Sequence, residues 1–143
     1  MIAIGSDHGG YRLKEEIKAH LTKRGLEFED FGCFSEESCD YPEIGHAVAH
    51  AIADGKFERG ILICGTGIGI SISANKVPGI RAALCTDCFT AEATRLHNDA
   101  NILVLPGRYM SEETAKACLD EFFNTSFEGG RHVRRIEKMR LDR

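Results

Sequence analysis

Residues 60–75, Gly-Ile-Leu-Ile-Cys-Gly-Thr-Gly-Ile-Gly-Ile-Ser-Ile-Ser-Ala-Asn, decide how the rest of the chain is organised. The apolar run Ile61, Leu62, Ile63 has the length of a buried strand and stops at Cys64. The glycine-spaced segment Gly65, Thr66, Gly67, Ile68, Gly69 follows, and then small and apolar residues suited to a helix. The pattern is strand, loop, helix. Backbone N–H groups of such a loop point together at the mouth of the helix, where the positive end of the helix dipole favours an anion or a developing oxyanion. A thiol at a helix N-terminus ionises more readily than a free one and can serve as base or nucleophile. The same residues also allow a plainer reading, with Cys64 a small buried hydrophobe and the glycines closing a tight turn.

Outward from this unit, apolar strand candidates stand at residues 1–6, 26–30, 60–64, 80–85 and 101–106, each followed by a loop and a helical pattern. That alternation predicts an α/β fold: a single doubly wound, Rossmann-like, three-layer domain over residues 1–143 with a five-stranded parallel sheet. The simplest strand order is 2-1-3-4-5. The winding then reverses between the first and third strands, and ligands of such sheets sit beyond the carboxyl ends of those strands. The first strand ends in Ser6-Asp7-His8-Gly9-Gly10 and the third in Cys64-Gly65-Thr66-Gly67, so two polar, glycine-bearing loops face one crevice. This convergence favours a functional Cys64.

The helical patterns carry core-facing stripes and no other role. Leu13, Ile17 and Leu21 recur at four-residue spacing in a helix that stops at Gly25. A second helix over residues 42–54 groups Ile44, Val48, Ala51 and Ile52, and Ser111 caps one carrying Ala115, Cys118, Leu119, Phe122 and Phe123.

Composition narrows the function classes. A chain of 143 residues can bury a sizeable core without disulfides, and a net charge of −4 argues against a general nucleic-acid or membrane binder. The start, Met1-Ile2-Ala3-Ile4-Gly5, reads as a strand and not as a signal peptide, and no apolar run approaches the length of a bilayer span. A soluble, cytoplasmic protein is expected. The six cysteines are scattered through strands, loops and a helix and do not resemble a disulfide framework. Cys85 and Cys88 form a C-x-x-C without a second pair at zinc-finger spacing, so a metal or redox role there is not expected.

The tail differs from the rest. From Gly129 it carries Arg131, Arg134, Arg135, Lys138, Arg140 and Arg143 against Glu137 and Asp142, as a basic helix over about residues 130–142. Val133, Ile136 and Met139 give it a side able to dock, while Arg131 and Arg135, one turn apart, can point the same way. A solvated basic face explains such a run. Paired arginines near an anion-ready crevice also fit a phosphate clamp.

Together, Ser6-Asp7-His8-Gly9-Gly10, Asp40-Tyr41-Pro42, Cys64-Gly65-Thr66-Gly67-Ile68-Gly69, Ala74-Asn75-Lys76, Gly79-Ile80-Arg81-Ala82, His97-Asn98-Asp99-Ala100-Asn101 and Gly129-Gly130-Arg131-His132 resemble the ribose-5-phosphate isomerase B family along the whole chain. The wider group includes galactose-6-phosphate and allose-6-phosphate isomerases. The resemblance implies an aldose–ketose isomerase without metal or other cofactor, which interconverts ribose 5-phosphate and ribulose 5-phosphate of the pentose phosphate pathway through an enediolate. Cys64 matches the family's catalytic base, and the amides of Gly65, Gly67, Ile68 and Gly69 match its anion hole. His97 matches the residue that assists opening of the furanose ring, and Asn98 a neighbour that contacts the sugar. Asp7, Tyr41 and Thr66 match positions lining the sugar; His8, Arg131 and Arg135 match phosphate ligands, and Arg108 falls where some members supply another. Ile70, Ser71 and Ile72 offer no carboxylate in place of the thiol, so the chain resembles the cysteine branch. The family's homodimers or homotetramers imply a site shared between subunits, with His97 and Asn98 supplied by the neighbour of the chain that supplies Cys64.

Without the resemblance, His97 reads as a helix C-terminal residue meeting the dipole, Tyr41-Pro42 as a helix start, and His132 as a residue free to face outward. His20, His46 and His50 carry no chemistry. A six-carbon phosphate such as allose 6-phosphate is an alternative substrate. A non-catalytic nucleotide-binding module is the rival from another class, with Asp87 near the place of a ribose-binding acid, although the spacing is G-x-G-x-G and not G-x-G-x-x-G.

Overall fold

The computed structural model describes residues 1–141. Five strands, β1 (Ile2–Ser6), β2 (Phe28–Asp30), β3 (Arg59–Cys64), β4 (Ala82–Leu84) and β5 (Ile102–Pro106), alternate with helices α1 (Tyr11–Lys23), α2 (Tyr41–Ala53), α3 (Ile68–Asn75), α4 (Cys88–Asn98), α5 (Glu112–Asn124) and α6 (Arg131–Met139). All strand pairs are parallel. No helix among the described residues is long and apolar enough to cross a membrane.

Alternation along the strands divides the core into two layers, because successive side chains of a strand point to opposite faces. Ile2, Ile4, Ile61, Ile63, Leu103 and Leu105 pack with the stripes of α1 and α5 and with Ala91 of α4. Ala3, Leu62, Cys64, Ile102 and Val104 pack on the other face against Val48, Ala49 and Ile52 of α2 and Ile70 and Ala74 of α3. Helices therefore cover both faces, as a doubly wound sheet requires.

The sheet order corrects the expected one. It is β2-β1-β3-β5-β4, with β5 between β3 and the edge strand β4, where 2-1-3-4-5 was expected. Every residue of β5 is buried, whereas the three residues of β4 are only partly covered or exposed. A continuous apolar strand gains more from an inner position, buried on both faces, than a short Ala-Ala-Leu strand does. The reversal between β1 and β3 is unaffected, so the crevice lies where the sequence places it.

The tail also departs from expectation. Helix α6 ends at Met139, and Asp142 and Arg143 lie outside the described residues. Its expected docking side is only partly covered, with Ile136 half-buried but Val133 at 50% and Met139 at 55% exposure, while His132 is the residue that is buried. One buried polar group was not anticipated. Lys14 lies on the stripe of Ile17 and Leu21, and its ammonium is fully buried against Asp30 Oδ1 at 2.8 Å and the carbonyl of Cys33.

Candidate active site

Strand β3 delivers Cys64 to the carboxyl edge of the sheet, opposite Pro106 of β5, with 4% of its surface exposed. The chain turns there through Gly67, whose φ of +77° is the left-handed conformation that favours glycine and which caps α3. Thr66 Oγ1 accepts the N–H of Ile68 at 3.2 Å. The other first-turn amides of α3 have no acceptor within the helix, as at any helix start, and face the mouth of the loop.

Three further segments close around this loop. Asp7 caps the 3-10 turn His8–Gly10 by accepting the N–H of Gly10 at 3.1 Å, which fixes the loop after β1. His8 Nδ1 lies 3.2 Å from the amide nitrogen and 3.3 Å from the carbonyl oxygen of Cys39, which holds the ring against that residue in either tautomer. The turn after β5 is tied to the same place by Gly107 N–H to Cys64 O at 2.8 Å and Arg108 N–H to Gly65 O at 3.0 Å. A β-carbon on Gly65 would stand 3.2 Å from Arg108 Nη1, and one on Gly9 3.3 Å from Arg108 Cζ, so the guanidinium lies across both glycine loops. Tyr41 is the first residue of α2, with Pro42 in its first turn, and its ring rests on Gly69, where a β-carbon would meet Cε1 at 2.6 Å. The helix start and the site are thus one feature. Asp7, His8, Tyr41, Cys64, Gly65, Thr66, Gly67, Ile68, Gly69 and Arg108 converge on one crevice.

His97, Asn98, Arg131 and Arg135 do not join them within one chain. Helix α4 ends at Asn98, immediately before β5 begins, and Ile102 pairs with Gly60 at the amino end of β3. Cys64 pairs with Pro106 four steps further along, at about 3.3 Å per residue, so the two groups occupy opposite edges of the sheet. The end of α4 is firmly held: Asp99 takes φ +48°, and Arg81 Nε donates to the carbonyls of Asn98 and Asp99 at 3.0 Å. Arg95 Nη1 reaches Asp99 Oδ1 at 2.8 Å. Thr94 Oγ1 donates to Asn98 Oδ1 at 3.1 Å. Glu128 N–H donates to Leu96 O at 3.1 Å and brings the start of α6 alongside. The paired arginines, expected beside the crevice, stand exposed on this second edge.

Sequence reasoning missed two neighbours of His97. The His132 ring stacks on it at 4.6 Å between centroids and 24° between planes. Glu128 Oε2 lies 4.0 Å from His97 Nε2. Glu128 precedes two glycines and lies outside the helix, so no periodicity marked it. Asp87 is consumed in capping α4, accepting Thr90 N–H at 2.8 Å, which removes the acid a nucleotide site would need. Cys85 is buried, and loss of solvent pushes its thiol up to about 11, unlike a reactive C-x-x-C thiol.

Comparison with known proteins identifies the family. The family model described as Ribose/Galactose Isomerase matches residues 2–139. The chain belongs to the ribose/galactose isomerase family. Among relatives in this family it is similar to ribose-5-phosphate isomerase B of Escherichia coli (strain K12), 49% identical over 136 residues, covering 95% of this chain and 91% of that protein. The structure of Clostridium thermocellum ribose-5-phosphate isomerase B superimposes with a TM-score of 0.95 at 54% identity, covering 96% of this chain and 93% of that one. That of ribose-5-phosphate isomerase B from Mycoplasma genitalium, with bound ribulose-5-phosphate, gives a TM-score of 0.91 at 40% identity, covering 96% and 92%.

Proposed function

We propose that this ribose/galactose isomerase family member interconverts D-ribose 5-phosphate and D-ribulose 5-phosphate, a step of the pentose phosphate pathway, in sites each built from two copies of the chain. The observation that carries the reading is the position of Cys64 at the carboxyl end of β3, immediately before the glycine loop that starts α3, with Arg108 lying across the loops that follow β1 and β3. A base beside an oxyanion hole and an anion-binding wall is what proton abstraction next to a carbonyl needs.

In the reaction His97, from the second copy, takes the proton of the O1 hydroxyl and passes it to the ring oxygen O4 as the C1–O4 bond breaks, which opens the furanose to the aldehyde. Cys64 thiolate then removes the C2 proton. The electron pair forms the C1–C2 double bond of the enediolate, and the charge arriving on O1 is held by the loop amides and the Thr66 hydroxyl. Return of the proton from Cys64 to C1, with transfer of the O2 proton to O1, gives the ketose; atoms balance without an external oxidant or reductant. Arg131 and Arg135 of the second copy join His8 and Arg108 on the phosphate, and Asp7, Tyr41 and Asn98 line the sugar. The outward Ile68 and Ile72 of α3 and the uncovered Val133 and Met139 of α6 supply apolar surface for that copy.

The test is incubation in D2O with ribose 5-phosphate, and separately with allose 6-phosphate and galactose 6-phosphate, followed by proton NMR with Cys64→Ala as control. Ketose formation and deuterium uptake from the pentose, abolished in the variant, are expected. Faster turnover of a hexose would change the substrate and keep the mechanism. Absence of turnover for every sugar would sink the reading.

A further inference from the structure

We propose that His97, Glu128 and His132 form a binding site for a divalent transition-metal ion of the zinc type, and that its occupation silences the isomerase. One ligand atom from each of the three residues can be chosen so that all lie within 4.8 Å of one another. Glu128 Oε1 is 3.5 Å from His132 Nε2, and Glu128 Oε2 is 4.0 Å from His97 Nε2. Ligands held about 2.0–2.2 Å from tetrahedral zinc stand about 3.3–3.6 Å apart, so closure on an ion draws the widest-set atoms together by up to about an ångström and turns the stacked imidazoles, 24° between planes, so that both nitrogens aim at it.

The state of His132 points to a ligand. Its side chain is only 6% exposed, yet Nε2 has no hydrogen-bond partner, since the 3.5 Å approach of Glu128 does not close into one. A buried imidazole nitrogen without a hydrogen-bond partner is unusual, and in the tautomer that leaves it unprotonated it offers a ligand atom beside a carboxylate and a second imidazole. The scaffold is already assembled. Glu128 is tied to α4 through Leu96 O at 3.1 Å, and His132 N–H donates to Gly129 O at 3.2 Å, so little order is left to impose on binding. Two imidazoles and one carboxylate suit zinc, cobalt, nickel or copper, whereas calcium and magnesium prefer all-oxygen shells. His97 is 45% exposed and Glu128 more so, which leaves an open coordination position toward solvent.

The inhibitory half of the proposal rests on the reading of His97 as the ring-opening group. A metal ion on Nε2 takes the lone pair that would accept the O1 proton. Binding itself does not depend on that reading, which separates the two tests.

Binding is measured first, with Co2+ followed by its visible d–d absorption and with Zn2+ by competition against a chromophoric chelator. The intact protein should bind one ion per chain. Glu128→Gln, at an exposed position, and His132→Ala, checked for folding by circular dichroism, should each weaken binding by more than the roughly tenfold to hundredfold that outer partners of a metal site contribute. Cys64→Ala should bind as the parent does. Zinc should then suppress turnover of ribose 5-phosphate in step with occupancy, with recovery on adding a chelator. Binding lost in Cys64→Ala and kept in Glu128→Gln would overturn the proposal, as would no stoichiometric binding at all. Stoichiometric binding without loss of turnover would overturn the inhibitory half. A metal-free protein without isomerase activity that still binds zinc through His132 would sink the proposed function and keep the metal site.

Discussion

Cys64 and His97 stand at opposite edges of one sheet, the first opposite Pro106 at the carboxyl end of β3 and the second at the end of α4, where the chain is about to enter β5. In the proposed reaction each chain supplies two different half-sites facing opposite ways, and a two-fold dimer would join the Cys64 half of one copy to the His97 half of the other, twice.

Complementation follows from that arrangement. Cys64→Ala and His97→Asn should each be nearly inactive alone. Denatured together in equal amounts and refolded, they should regain about a quarter of the parental activity, because about half of randomly formed dimers are mixed and each mixed dimer has one intact site of two. Activity of the mixture no greater than the sum of the two alone would rule out the shared site.

Gly69 leaves room for the Tyr41 ring, and a methyl group there must displace it, since its β-carbon would stand 2.6 Å from the ring. Gly69→Ala should lower kcat/KM by about tenfold or more, through loss of positioning, while the helical backbone at this position accepts alanine readily. Steady-state kinetics beside a thermal melt measure both. A fall in Tm without a fall in kcat/KM would show that the ring has no part in binding.

The buried pair of Lys14 and Asp30 makes stability depend on pH. Burial alone would raise the Asp30 carboxyl, but hydrogen bonds from Lys14, Gly32 N–H and Lys18 outweigh it and hold it below the usual carboxylate range. Its contribution is therefore complete above the unfolded-state value of about 3.9 and is lost as pH falls through the lower folded value. Asp30→Asn leaves the Lys14 ammonium buried without its counter-charge and should cost about 3–5 kcal/mol at neutral pH. Urea melts at pH 7 and pH 3 should show the gap between parent and variant narrowing at the lower pH.

Thiol reactivity should divide the cysteines. Burial pushes Cys118 up to about 12 and Cys85 up to about 11, so both should resist iodoacetamide in the folded protein at pH 8. Cys88 is exposed and should be alkylated first. Substrate should protect Cys64. Peptide mass spectrometry after brief native labelling reads all of them, and rapid labelling of Cys118 would contradict the packing described for α5.

The crevice was legible because its signals are local. Cys64 ends an apolar run and glycines follow at once, and the loop after β1 carries its polar residues next to its glycines. The order of β4 and β5 was not local. Both are short and apolar, parallel crossovers permit either neighbour for β3, and only the fuller apolar character of Ile102, Leu103, Val104 and Leu105 favours the inner place. Lys14 escaped notice because a lysine on an apolar stripe reads as a solvent marker, and Asp30 lies sixteen residues away on another element. His132 was hidden in the same way, buried from within a run of exposed arginines. The separation of Cys64 from His97 came from family resemblance, although the topology alone contains it, since a helix that leads into a parallel strand ends at the amino edge.

Strands β2 and β4, the two margins of the sheet, are only three residues long. A further strand from another molecule would find few free backbone donors and acceptors to pair with, too few to seed runaway stacking. Crowding many copies together therefore steers them toward contacts between helices and loops, so the protein can be kept concentrated with little tendency to form fibrils.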